Sequence, residues 1–191
     1  MTIIGAIGAN GSGKDEVLKY LSERYDVPFL STGEMVRAIA VRDSVEPTRE
    51  NLGAISERYF AEQGPGCFVR MAAERIAENG WPIAGISGIR SADDVRLLKA
   101  AYGKDFVLIH VIVSDPRVRF ERMTRRAEAR DPSDFDHFRE LDAREETLFR
   151  VSEAATYADH TLTNDDTLGD LHRAIDRLVL DAELLKLRSP E

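Results

Sequence analysis

Thr2-Ile3-Ile4-Gly5-Ala6-Ile7-Gly8-Ala9-Asn10-Gly11-Ser12-Gly13-Lys14 opens the chain and decides its reading. Thr2 to Ile7 is a short apolar run closing on glycine, the pattern of a parallel strand buried on both faces. From Lys14 to Arg24 the period changes, with Val17, Leu18 and Leu21 on one helical face. Between strand and helix lies Gly8-x-x-x-x-Gly13-Lys14. Glycines at that spacing let backbone N–H groups turn inward around anionic oxygens. The helix that follows aims its positive end at the same point. Gly8, Asn10, Gly11, Ser12, Gly13 and Lys14 are therefore candidate binding residues for the phosphates of ATP or a close relative, with Lys14 reaching the outer phosphates.

The residue after the lysine is Asp15, where this loop normally carries a Ser or Thr whose hydroxyl holds Mg²⁺. A carboxylate beside bound phosphates is tolerable only with a cation between them. Asp15 is thus a candidate Mg²⁺ ligand, directly or through water. The plainer reading is an acid serving the first helical turn.

Apolar strands at 27–30, 81–87, 106–113 and 160–163 alternate with helical stretches along the rest of the chain. The helices are expected at about 31–42, 49–63, 68–79, from Ser91, from Asp115, and over 135–155 and 170–187. Such alternation implies a three-layer α/β sandwich of the P-loop NTPase class, with a five-stranded parallel sheet and helices on both faces. With 191 residues, positions 1–191 fit one domain. A helical acceptor-binding insertion is expected at about 31–80 and an Arg-rich lid at about 117–145.

The net charge of -8 argues against sequence-independent nucleic-acid binding. No apolar run has the length of a membrane span. The lone Cys67 lacks a disulfide or metal companion and reads as a small core residue. The expected setting is the cytoplasm, as a monomer or homodimer without membrane or nucleic-acid partners.

Ser31-Thr32-Gly33-Glu34-Met35-Val36-Arg37 follows the second strand, and Ser87-Gly88-Ile89-Arg90 the third. In a parallel sheet both lie at the carboxyl ends, on the phosphate-loop side. Thr32, Gly33, Arg37 and Arg90 are candidate contacts for a second ligand. Two arginines on one rim suit a monophosphate.

These segments resemble the nucleoside-monophosphate-binding parts of adenylate kinases. Gly11-Ser12-Gly13-Lys14-Asp15-Glu16, Gly88-Ile89-Arg90-Ser91, Arg119-Phe120-Glu121-Arg122, Asp142-Ala143-Arg144-Glu145 and Ala158-Asp159 with Asn164 resemble an archaeal-type, adenylate-kinase-related group. The resemblance implies an ATP- and Mg²⁺-dependent kinase for a nucleoside monophosphate or similar phosphorylated acceptor. It implies ATP contacts at Gly8, Gly13, Lys14 and Asn164, and an acceptor site at Thr32, Gly33, Arg37 and Arg90. Arg122 is implied to lie against the adenine ring, Arg126 and Arg130 to border the lid, and Arg144 to reach the transferring phosphate. The family's metal-linked Asp after the third strand is Ser87 here, so Asp15 and Ser87 read as an exchange of the metal's carboxylate and hydroxyl. The rival is a nucleotide binder without catalysis. A dephospho-CoA kinase, with the same core and a different acceptor, and an ATP-hydrolysing switch also fit these motifs.

Arg119, Arg122 and Arg126 share one helical face, and a lid carrying them would place positive charge on the transferring phosphoryl and exclude water. Asp131-Pro132-Ser133 reads as its hinge. His110 reads as a core or strand-end residue, Trp81 as packing, and His137, His160 and His172 as unrelated to one another. Asp165-Asp166 reads as a turn and helix cap, and Glu145-Glu146 as a solvated helix face.

Overall fold

The computed structural model describes residues 1–126 and 132–185. In chain order, β1 is Thr2–Ile7, α1 Lys14–Tyr25, β2 Phe29–Ser31, α2 Thr32–Arg42, α3 Arg49–Gln63, α4 Cys67–Glu78 and β3 Ile83–Ser87. Then follow α5 Ala92–Tyr102, β4 Phe106–Ile112, α6 Pro116–Arg126, α7 Phe135–Phe149, α8 Val151–Ala155, β5 His160–Thr163 and α9 Leu168–Asp181. The five strands are parallel in the order β2-β3-β1-β4-β5.

β1 sits in the middle, and each of its six residues is buried. Its side chains alternate between two cores, as the pleat requires. Ile3 and Ile7 join Val69, Ala72, Ile76, Val95 and Leu98 of α4 and α5 on one face. Ile4 and Ala6 join Val17, Leu18, Leu21, Leu171 and Ile175 of α1 and α9 on the other. Fully burying such an Ile or Leu contributes about 1.5–3 kcal/mol, so the central strand anchors both layers. A third cluster joins Val36, Ile39 and Ala40 of α2 to Ile55, Tyr59 and Phe68 of α3 and α4. These three helices thus share apolar contacts of their own beside the sheet.

Register places the functional ends together. Ile7 stands opposite His110, and Ser31 opposite Ser87. The loops after β1, β2 and β3 therefore emerge side by side at one edge of the sheet.

Three expectations are corrected. The third strand starts at Ile83, because the Pro82 carbonyl accepts from Thr2 N at 2.9 Å and leads the pairing in. The closing helix starts at Leu168 and ends at Asp181, with Thr167 and Asp170 forming its capping box. The helix expected over 135–155 breaks at Arg150, whose φ of 50° is left-handed. There the Glu146 carboxylate accepts from the Ser152 backbone N–H at 3.1 Å and from its hydroxyl. That local capping offsets the strained residue and lets α8 turn back onto α5. Among the described residues, no helix is long and apolar enough to cross a membrane.

Candidate nucleotide and acceptor site

Gly11 and Gly13 take φ of +78° and +94°, a region side chains rarely adopt. A Cβ on Gly13 would stand 2.5 Å from Asn164 Nδ2, and one on Gly11 2.8 Å from the Arg119 carbonyl. Gly13 is also the N-cap of α1 and supplies no side-chain cap, and the helix start aims its positive end at the loop. The Ser12 hydroxyl is buried with no hydrogen-bond partner. An orphaned donor costs about 1–3 kcal/mol, which a ligand oxygen would recover. Gly8 to Lys14 thus fits the phosphates of a nucleotide.

The loop is braced from behind. Asn164 is buried, and its Nδ2 donates to the Ser12 carbonyl at 2.8 Å. Its own N–H donates to Ile112 O at 2.8 Å, carrying the brace into β4. Arg122 donates to the Asn164 and Asp166 carbonyls at 2.8 and 3.0 Å. Burial pushes the Arg122 guanidinium below its ordinary range, although arginine stays charged. Asn164 therefore braces the phosphate loop directly, and Arg122 is tied to the segment between β5 and α9 that carries it.

Arg119 carries a role that sequence pattern did not reveal. It is buried and grips Asp142 of α7 through two 2.7 Å bonds. The same side chain donates to Asn10 O at 3.1 Å and lies 5.0 Å from the centre of the Phe138 ring. It belongs to a clamp between α6, α7 and the phosphate loop. Arg117 lies over Phe135 and Arg125 pairs with Glu121, as outward residues do. Arg130 and Asp131 lie outside the described residues, as does the side chain of Arg126.

At the ends of β2 and β3, Thr32 Oγ1 donates to Gly88 O at 3.2 Å. Gly88 has φ +84°, and a Cβ there would stand 2.1 Å from that hydroxyl, so the loops after β2 and β3 meet only because of glycine. The Arg37 guanidinium folds over Gly33, 3.5 Å from where a Cβ would lie. Arg37 and Arg90 are both exposed on this rim. Arg144 is exposed on α7, about 100° around the helix from Glu145.

Glu145 corrects the expectation of a solvated glutamate pair. It does not face solvent: its side chain is 14% exposed and accepts a hydrogen bond from Asn10 Nδ2. Arg90 Nη1 stands 3.7 Å from its other oxygen, with the Arg90 guanidinium 5.3 Å from the Phe149 ring centre. Glu145 lines a pocket of about 290 Å³ with Ala9, His110, Asp142 and Glu146. His110 is half-buried and belongs to this pocket, and burial lowers its pKa and favours the neutral ring. The spacing of Phe138, Asp142 and Phe149 marks an inward face of α7, and Glu145 and Glu146 fit that face equally well.

Asp165 does not cap α9, whose capping box is Thr167 and Asp170. Its carboxylate accepts from the Ser114 N–H and hydroxyl, each at 2.7 Å, and these bonds hold its pKa below the ordinary range. Trp81 packs against the core as expected. Asp15 is exposed in the first turn of α1, and Ser87 is buried at the end of β3. Among the described residues no three His, Cys, Asp or Glu side chains gather to hold a metal. Asp15 and Ser87 are hard oxygen donors of the type Mg²⁺ takes alongside nucleotide phosphates and water.

A family model described as an AAA domain matches residues 7–155. A UPF0200 protein of Thermococcus onnurineus is 30% identical over 179 residues, covering 93% of this chain and 96% of the relative. One from Pyrococcus horikoshii is 32% identical over 181 residues, covering 93% and 95%. Among solved structures, a shikimate kinase from Bacteroides thetaiotaomicron superposes with a TM-score of 0.56 at 16% identity, covering 95% of this chain and 98% of that one. A shikimate kinase from Acinetobacter baumannii, in complex with shikimate, gives 0.55 at 16% identity over 97% and 96%. At such identities the likeness establishes the P-loop kinase fold. The chain belongs to the UPF0200 family, and its residues 7–155 belong to the AAA-domain family.

Proposed function

We propose that this protein transfers the γ-phosphoryl of ATP to a small, phosphate-bearing, nucleotide-like acceptor. The observation that carries the reading is the placement of two anion-binding edges on neighbouring strands. The glycine-lined phosphate loop leaves β1, and the Thr32–Gly33–Arg37 and Gly88–Arg90 segments leave β2 and β3 beside it. Phosphoryl transfer asks a protein chiefly for such positioning and for positive charge on the transferring oxygens.

In this reading Gly8 to Lys14 hold the triphosphate, with Asn164 and Arg122 bracing the loop. Asp15 and Ser87 would hold Mg²⁺ beside the phosphates, where the ion would supply positive charge that offsets theirs. Thr32, Gly33, Arg37 and Arg90 receive the acceptor. An adenylate-kinase-like division, with an acceptor arm at about 31–80 and a lid region at about 117–145, is part of the same reading. The protein would work in the cytoplasm as a monomer or homodimer, with small-molecule partners only.

A coupled ADP-release assay across the ribo- and deoxynucleoside monophosphates and dephospho-CoA tests this. Release stimulated by one acceptor supports the reading. Release that no acceptor stimulates would leave an ATP-hydrolysing switch.

A further inference from the structure

We infer that Glu145 is the general base of the transfer, and that the accepting oxygen is a hydroxyl, not a phosphate oxygen. The inference rests on the phosphotransfer reading above and specifies its acceptor.

The Glu145 carboxylate lies between the two halves of the site. One oxygen accepts from the Asn10 side chain on the phosphate loop, and the other faces Arg90 at 3.7 Å on the acceptor rim. Its side chain is 14% exposed, so little water screens it. It arrives on α7, which Arg119 fixes to the same loop through Asp142 and Asn10 O. The carboxylate is therefore held by rigid structure next to where the outer phosphate of a bound nucleotide lies.

That placement discriminates between acceptors. A monophosphate brings a nucleophile already ionised and needs no base. It would also bring its negative charge against Glu145, whose oxygen the Arg90 guanidinium faces at 3.7 Å. A hydroxyl is neutral, meets no such repulsion, and needs its proton removed as it attacks. The balanced step follows. The acceptor O–H gives its proton to a Glu145 oxygen while the acceptor oxygen bonds to the γ-phosphorus. The bond from that phosphorus to the β,γ-bridging oxygen breaks, and its electron pair leaves with ADP. Arg37, exposed on the rim, remains to hold the acceptor's own phosphate.

Water is itself a hydroxyl nucleophile, so acceptor-free ATP hydrolysis reads the base directly. Wild type, Glu145→Gln and Glu145→Asp are compared for steady-state phosphate release, ATP Kd and Tm. The expected result is a kcat for Glu145→Gln lower by about 10²–10⁴, ATP Kd within about threefold of wild type, and partial recovery in Glu145→Asp. Hydrolysis by Glu145→Gln as fast as or faster than wild type overturns the assignment, because the carboxylate then only fills the site. The product formed from each monophosphate and from dephospho-CoA is then read by ³¹P NMR. A new phosphate monoester supports a hydroxyl acceptor, and a diphosphate anhydride from any monophosphate overturns it while leaving phosphotransfer intact. No ATP turnover with water or any acceptor overturns the phosphotransfer reading, and this one with it.

Discussion

Arg119 of α6 holds Asp142 of α7 in a two-point grip, both bonds at 2.7 Å, across a sequence separation of 23. Two parallel N–H···O bonds fix orientation as well as distance. Because the same guanidinium also reaches Asn10 O, the clamp sets the height of α7 over the phosphate loop. Arg119→Ala strands Asp142 and removes the loop contact. The expected cost is about 2–4 kcal/mol, a Tm lower by roughly 5–15 °C. Arg119→Lys keeps the charge and loses the fork, so it falls between the two. Thermal melts decide: a Tm within about 2 °C of wild type for Arg119→Ala removes the clamp from the account.

Asn164 is the second brace, and its chemistry makes a sharper test than its removal does. Its Nδ2 donates to Ser12 O at 2.8 Å in a buried setting. Asn164→Ala leaves that carbonyl unpaired and is expected to weaken ATP binding about tenfold, equivalent to ~1.4 kcal/mol. Asn164→Asp is nearly the same size, yet it turns a donor into an anion facing a carbonyl. It is expected to bind ATP more weakly than the alanine variant. Calorimetric titration with ATP orders the three proteins, and equal affinity for the Asp variant contradicts the brace.

The contact between α2 and α3 carries an acid-sensitive link. Asp43 at the end of α2 accepts from Arg42 at 2.8 Å and from Arg58 of α3 at 2.8 Å. The bond from Arg42, then that from Arg58, holds the Asp43 pKa down to about 2. A carboxylate whose folded pKa lies below its unfolded value stabilises the fold in its charged form. That contribution is complete above about pH 4 and is lost as pH falls through the folded value near 2. Asp43→Asn should therefore lie below wild type in Tm at pH 6 and converge with it toward pH 2. Parallel Tm curves across that range would rule the link out.

Local pattern carried most of the fold. The change from a continuous apolar run at Thr2–Ile7 to the helical spacing of Val17, Leu18 and Leu21 is readable within a dozen residues, and so is the loop between them. Glu145 was not readable in that way. Its partner Asn10 lies 135 residues away, and an adjacent glutamate pair on a helix looks alike whichever member turns inward. The break at Arg150 was equally hidden, since a non-glycine residue takes the left-handed conformation and the Glu146 side chain supplies the compensating bonds. Asn164 was reached through family resemblance rather than pattern, because a polar residue just after a strand announces no particular partner.

Asp15 supplies the last test, because its two readings separate under metal titration. It is exposed in the first turn of α1, where an acid gains a modest interaction with the helix N-terminus whether or not a metal binds. As a Mg²⁺ ligand it does more: it offsets its own repulsion of the phosphates only when the cation is present. Asp15→Asn then has opposite effects with and without metal. In EDTA the variant should bind ADP more tightly than wild type, since a negative charge beside the phosphates is gone. In Mg²⁺ it should bind ADP less tightly and need about tenfold more Mg²⁺ for half-maximal tightening. If removing the charge shifts ADP affinity by the same factor in both buffers, Asp15 is only the acid of a helix start. Ser87→Ala is the companion. A hydroxyl contributes no charge, so this variant should leave EDTA binding unchanged and weaken only the Mg²⁺-dependent part.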